Sequence, residues 1–172
     1  MKTKPSSKTL ISIFIISIIA QSCRFIDNEP YPLNQSSRII EEVIPLNNFD
    51  RVKMGNAFRV FIRKGSKFSI IAKGDKNDVN DLEAKVIDGE LNIKYHNNLK
   101  KRYEMIFYIT MPTFDCGSFY GAAYAEIYNF NENNISIFGS GASTIYIDSD
   151  SKYWDVKLSG ASDLEIVGFG KS

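Results

Sequence analysis

The sequence predicts an all-β fold, a right-handed parallel β-helix (β-solenoid) with hairpin-like N-terminal coils. Three observations predict it. Apolar and polar residues alternate with period two over several short runs, the mark of strands with one packed face. Turn-forming residues such as Gly55-Asn56, Lys64-Gly65-Ser66, Lys73-Gly74-Asp75 and Asp88-Gly89 separate these runs. A Gly-Ala corner then recurs in the C-terminal part at intervals of 20 and 19 residues.

The first element is a leader. Lys2, Lys4 and Lys8 precede an apolar run of 11 residues, Leu10–Ala20. That run is too short to span a bilayer, which takes about 20 residues. It has the build of a signal peptide, with an ordinary secretory signal cut near Ala20 and an uncleaved anchor as the competing readings. Ala20, Ser22 and Cys23 resemble a relaxed bacterial lipobox, with Cys23 as the residue to be lipidated. The reading is residues 1–22 as lipoprotein signal peptide, 23–38 as lipidated cysteine and tether, and 39–172 as the β-domain. Pro30 and Pro32 in a polar stretch suit an extended tether.

Removing residues 1–22 leaves 18 basic and 20 acidic residues, a net charge of −2. That balance offers no basic stripe and excludes nucleic acid as a partner. If Cys23 is acylated, Cys116 has no disulfide partner and reads as a buried, inert thiol.

The strands follow in order. Phe58, Val60 and Ile62 alternate with Arg59, Phe61 and Arg63; Phe68, Ile70 and Ala72 alternate with Ser69 and Ile71; Leu91, Ile93 and Tyr95 alternate with Asn92, Lys94 and His96. Asp88-Gly89 is a hairpin signal. Residues 78–85 alone could form a helical turn. Met105–Met111, apolar throughout, reads as a strand covered on both faces and ended by Pro112.

The C-terminal repeats are Gly121-Ala122-Ala123, Gly141-Ala142-Ser143 and Gly160-Ala161-Ser162, each leading into a strand. Stacked coils would place Ile127, Ile147 and Ile166 in one inward ladder and Ala125, Ile145 and Leu164 in another. Glycine at each corner permits positive φ and close contact between coils. The competing reading is a β-sandwich whose hairpins share a spacing.

These same residues carry a resemblance. Phe49, Val52, Gly55, Phe58-Val60-Ile62 and Gly65, then Leu91-Ile93, the strand ending at Pro112 and the corners at 141–143 and 160–162, resemble the putative auto-transporter adhesin family with the head GIN domain. The resemblance covers about Phe49–Ser172. It implies a β-helical domain on exported, often lipid-anchored proteins of Bacteroidetes-type bacteria, with no catalytic residues to transfer. It places the chain in the cell envelope as an outer-membrane lipoprotein, with the leaflet open. Family members usually continue for several more coils, whereas this sequence stops at Gly170-Lys171-Ser172. The expected consequence is an uncapped last coil that frays or joins a second copy.

Candidate chemistry is sparse. His96, the only histidine, has no second ligand near it for zinc. Asp148, Asp150, Asp155, Asp163 and Glu165 form an acidic series of the kind polysaccharide lyases and glycosidases use. No arginine accompanies them, and acids are ordinary turn residues. Gly168-Phe169-Gly170-Lys171-Ser172 fails as a phosphate loop, because Glu165 stands where the first glycine belongs. The sequence therefore yields no catalytic, metal or cofactor set, and no cofactor is expected. Tyr120, Tyr124, Tyr128 and Tyr146 lie in or beside the repeats. Tyr124 and Tyr146 are the expected contacts for a glycan or protein ligand; the alternative is that these rings stack along the sheet for stability. The functional reading is a non-catalytic adhesin or binding module on a lipid anchor. A polysaccharide-active enzyme and a purely structural envelope protein are the alternatives.

Overall fold

The computed structural model describes residues 38–97 and 102–168. The signal peptide, Cys23, nearly all of the tether and Gly170-Lys171-Ser172 lie outside the described residues.

Among the described residues, eleven strands form one mixed sheet: β1 (Ile39–Val43), β2 (Arg51–Met54), β3 (Phe58–Lys64), β4 (Ser69–Asp75), β5 (Leu82–Ile87), β6 (Glu90–Tyr95), β7 (Met105–Met111), β8 (Cys116–Phe119), β9 (Tyr124–Gly139), β10 (Thr144–Leu158) and β11 (Asp163–Val167). A short helix, α1 (Lys76–Asn80), joins β4 to β5. The long strands β9 and β10 pair in parallel along most of their length. The first half of β9 also pairs with β3 and its second half with β8. The sheet therefore curls into a half-barrel with two arms. The first arm runs β1-β4-β7-β3 and on through the starts of β9 and β10 to β11. The second runs β5-β6-β2-β8 and on through the ends of β9 and β10.

Period-two alternation produces the core. Phe58, Val60 and Ile62 of the first arm and Val52, Met54, Ile135 and Ile137 of the second point into a single buried cluster. Fully burying each such apolar side chain is worth roughly 1.5–3 kcal/mol.

The right-handed parallel β-helix is overturned. A solenoid requires parallel pairing throughout, yet β4 is antiparallel to β1 and β7, and β5 is antiparallel to β6. Alternation reports which face is buried and is silent on the direction of the neighbouring strand. The spacing of 20 and 19 residues has a local meaning. It sets Ile127 beside Ile147 beside Ile166, and Ala125 beside Ile145 beside Leu164, in the parallel pairing of β9, β10 and β11.

Three smaller expectations also resolve. Asp88 and Gly89 have positive φ and turn the β5–β6 hairpin as expected. Helix α1 lies at Lys76–Asn80, earlier than the expected stretch, because the Asp75 side chain accepts from Asn77 N at 2.9 Å and caps it. Strand β7 is buried on one face only: Tyr108 on the other is 44% exposed.

The corners joining the arms form a column. Asn56, Gly121, Gly141 and Gly160 all have φ between 62° and 80°. Ala122 N donates to Asn56 O at 2.6 Å, Ala142 N to Gly121 O at 2.7 Å, and Ala161 N to Gly141 O at 2.7 Å. A Cβ on Gly141 or Gly160 would lie 2.6 Å from the carbonyl oxygen of the preceding corner. Glycine is thus demanded twice, by backbone conformation and by the close approach. Asn56 opens the column, with no described corner before it, and asparagine tolerates left-handed backbone. Ala142 and Ala161 are exposed at the bend; Ser143 is buried and donates to Ser162 Oγ at 3.1 Å, and Ser162 donates to Ser159 O at 2.9 Å.

Ion pairs tie together two of the connections that cross between the arms, β4–β5 and β6–β7. Arg102 Nη1 lies 2.8 Å from Asp78 Oδ1, and Nη2 pairs with Asp81. The Arg102 side chain is 12% exposed and Asp78 4%. The guanidinium sits 3.9 Å from the Tyr95 ring centroid. Burial, above all, raises the Tyr95 phenol above its ordinary range.

Candidate functional site

The outer face of the first arm carries a compact set of aromatic and charged side chains. Because β3 and the first halves of β9 and β10 alternate, the residues between their core positions point outward. Strand β3 presents Arg59, Phe61 and Arg63; β9 presents Tyr124, Glu126 and Tyr128; β10 presents Tyr146. Parallel register sets Arg59 beside Tyr124, Phe61 beside Glu126, and Arg63 beside Tyr128. Tyr146 lies beside Glu126, and Tyr108 of β7 beside Phe61.

Glu126 is the hub. The hydroxyls of Tyr124 and Tyr128 donate to its two oxygens at 2.7 and 2.6 Å. Partial burial works against its ionisation. The hydrogen bonds from Tyr128 and Tyr124, with the Arg59 and Arg63 charges, outweigh burial and hold the carboxyl below its usual range. Conversely, the hydrogen bond to Glu126, with some burial, pushes Tyr128 up to about 12 and raises Tyr124. Both phenols remain donors, and the carboxylate remains an acceptor.

The rings and guanidinium groups interlock. Arg59 lies 5.1 Å from the Tyr124 centroid and pairs with Glu104 at 3.2 Å. Arg63 lies 4.9 Å from the Tyr128 centroid. Phe61 stacks on Tyr108 at 5.5 Å and 16°, and Tyr128 meets Tyr146 at 5.8 Å and 49°. The result is a half-exposed aromatic surface with fixed donors and acceptors. It can stack on a sugar ring or an apolar side chain and hydrogen-bond polar groups beside it. It is poorly built for proton transfer, because Glu126 is held ionised and already accepts two hydrogen bonds.

Both expected contact residues, Tyr124 and Tyr146, lie on this face, flanking Glu126. Tyr120 does not join them: its ring occupies the space a side chain on Gly55 would need, so it packs a corner. The residues that sequence reasoning missed are Phe61, Tyr108, Arg59, Arg63 and Glu126. Their outward parity was readable, but their adjacency depends on pairing between segments some 65 residues apart.

The acidic series is divided. Asp148, Asp163 and Glu165 share the outer face of the first arm, whereas Asp155 lies on the second arm, 3.3 Å from Lys157. Among the described residues, no three His, Cys, Asp or Glu side chains are arranged to hold a metal ion. His96 is exposed. Cys116 is half-buried and forms no disulfide among the described residues, and burial, above all, raises its thiol pKa.

Comparison with known proteins agrees with the fold. The profile of the family described as "putative auto-transporter adhesin, head GIN domain" matches residues 48–171. A crystal structure of a putative adhesin from Bacteroides fragilis is similar, with a TM-score of 0.60 at 20% identity over 77% of this chain and 70% of that one. A putative adhesin from Parabacteroides merdae has a TM-score of 0.69 at 12% identity; the match covers 77% of this chain but spans only 57% of that one. A putative lipid binding protein from Parabacteroides distasonis has a TM-score of 0.55 at 14% identity over 78% and 68% of the two chains. These likenesses establish a shared fold. No curated protein sequence matches the chain.

Proposed function

The chain belongs to the putative auto-transporter adhesin family with the head GIN domain, and on that premise we propose that it is a non-catalytic binding module of the cell envelope. It is exported, held to the membrane by a lipid on Cys23, and contacts a glycan or protein through the outer face of its first arm. One observation carries this reading. Tyr124, Tyr128, Tyr146, Phe61 and Tyr108 form a half-exposed aromatic surface on interior strands of a hydrogen-bonded sheet, tied together by Glu126, Arg59 and Arg63. Rigid aromatic rings provide contact area at little cost in conformational entropy.

The test is a glycan and protein array probed with the mature chain and with Tyr124→Ala/Tyr146→Ala. The double variant should lose binding by about tenfold or more. Unchanged binding by a folded variant contradicts it. The anchor is tested separately: labelling with an alkyne fatty acid should mark the wild type and fail with Cys23→Ala. Protease shaving of intact cells should remove the domain if it faces outward.

A further inference from the structure

The second half of β10 has no partner strand on its outer edge among the described residues, because β11 covers only Thr144–Asp148. An open edge of this kind is a template for pairing with another strand. Its inward side chains are unusually bare: Val156 is 40% exposed and Leu158 43%, although both stand at positions that are core in β9.

We propose that this edge pairs with the same edge of a second copy, antiparallel about a two-fold axis at Val156. A closed symmetric dimer requires each edge to meet itself, and identical strands related by a two-fold axis run antiparallel. The sequence then selects one register. With Val156 opposite Val156, Trp154 of one copy faces Leu158 of the other on the core side. On the outer side Asp155 of each copy faces Lys157 of its partner, giving two cross-strand opposite-charge pairs. A shift of one residue pair either way puts Asp155 against Asp155 or Lys157 against Lys157, and like charges directly opposite are unfavourable. Within one copy Asp155 and Lys157 already meet at 3.3 Å with both side chains more than half exposed, so both charges are available at the edge. The pairing also extends the sheet with both apolar faces on the same side, and shelters Val156 and Leu158 from water.

The register makes the test specific. Val156→Cys in the full chain should form a disulfide-linked dimer under mild oxidation, above any background from the native cysteines. Tyr153→Cys should not, since it would face Ser159. Asp155→Lys and Lys157→Asp should each weaken the dimer by about tenfold, and the double exchange should restore it. Absence of the Val156→Cys dimer overturns the proposal, as does a dimer indifferent to both charge reversals. Static light scattering of the wild type checks that the association occurs without the introduced thiol.

Discussion

The two arms of the sheet share strands β9 and β10, yet show the solvent different surfaces. On the first arm these strands present Tyr124, Glu126, Tyr128 and Tyr146, joined to Arg59, Phe61 and Arg63 of β3. On the second they present Ser136, Phe138, Tyr153, Asp155 and Lys157, beside Lys53 of β2 and Ser118 of β8. The inner faces of both arms are alike, apolar and packed in a single core. The fold therefore constrains only every second residue, and the others are free to differ between arms. One arm has used that freedom to assemble an aromatic surface with an ionised hub; the other spaces two rings, Phe138 and Tyr153, among serines, lysines and one aspartate.

If recognition belongs to one arm, damage to the joints between arms should lower stability without selectively altering the face. The largest effect is expected at Arg102, which ties the β6–β7 connection to α1 and the residue after it. Arg102→Ala leaves Asp78 and Asp81 without their shared cation. It should cost about 3 kcal/mol and lower the melting temperature by roughly 10 °C, read by calorimetry. The remaining folded molecules should bind as before.

Next comes the corner column, where the effect should depend on position. Gly141→Ala forces a side chain onto a backbone at φ +80°, 2.6 Å from Gly121 O. It should cost roughly 1–3 kcal/mol of global stability. Gly160→Ala meets the same contact at the last described corner. It should instead release β11 locally, seen as faster hydrogen exchange at residues 163–167 with little change elsewhere. Equal global losses would show that β11 folds as one unit with the rest.

The smallest effect is in acid. Burial works to raise the Asp81 pKa, but hydrogen bonds from Arg102 and Asn97 prevail and keep it below its ordinary value of 3.8. Its contribution is complete above that value and is lost as pH falls through the lower folded value. Wild-type stability should therefore decline below about pH 4 more steeply than that of Arg102→Ala. Urea titrations at several pH values compare the two slopes.

What could be read from the sequence follows the same division. Parity is legible: Phe58-Val60-Ile62 and Leu91-Ile93 each share one face of their strand, and Tyr124 and Tyr146 fall opposite the ladder of Ala125 and Ile145. The ladders through Ile127 and Ala125 were legible because equal spacing and parallel register coincide there. Strand direction is legible only at the β5–β6 hairpin, where Asp88-Gly89 marks the turn. Nothing in β4 marks it as antiparallel to β1 and β7, and those pairings make a half-barrel where equal spacing suggests a solenoid. Asn56 went unrecognised as the first corner because it is not glycine; without a preceding described corner, it need not be. Only half of the face could be foreseen, since Arg59, Phe61 and Arg63 reach Tyr124, Glu126 and Tyr128 through register alone.

The most direct test of an aromatic recognition face is oxidative footprinting of the chain on its array-identified ligand. Phe61, Tyr108, Tyr124, Tyr128 and Tyr146 should be protected from hydroxyl radicals when bound, while Tyr153 on the second arm keeps its free reactivity. Protection of Tyr153 with unchanged labelling of the first-arm rings would place recognition on the other arm and contradict the account.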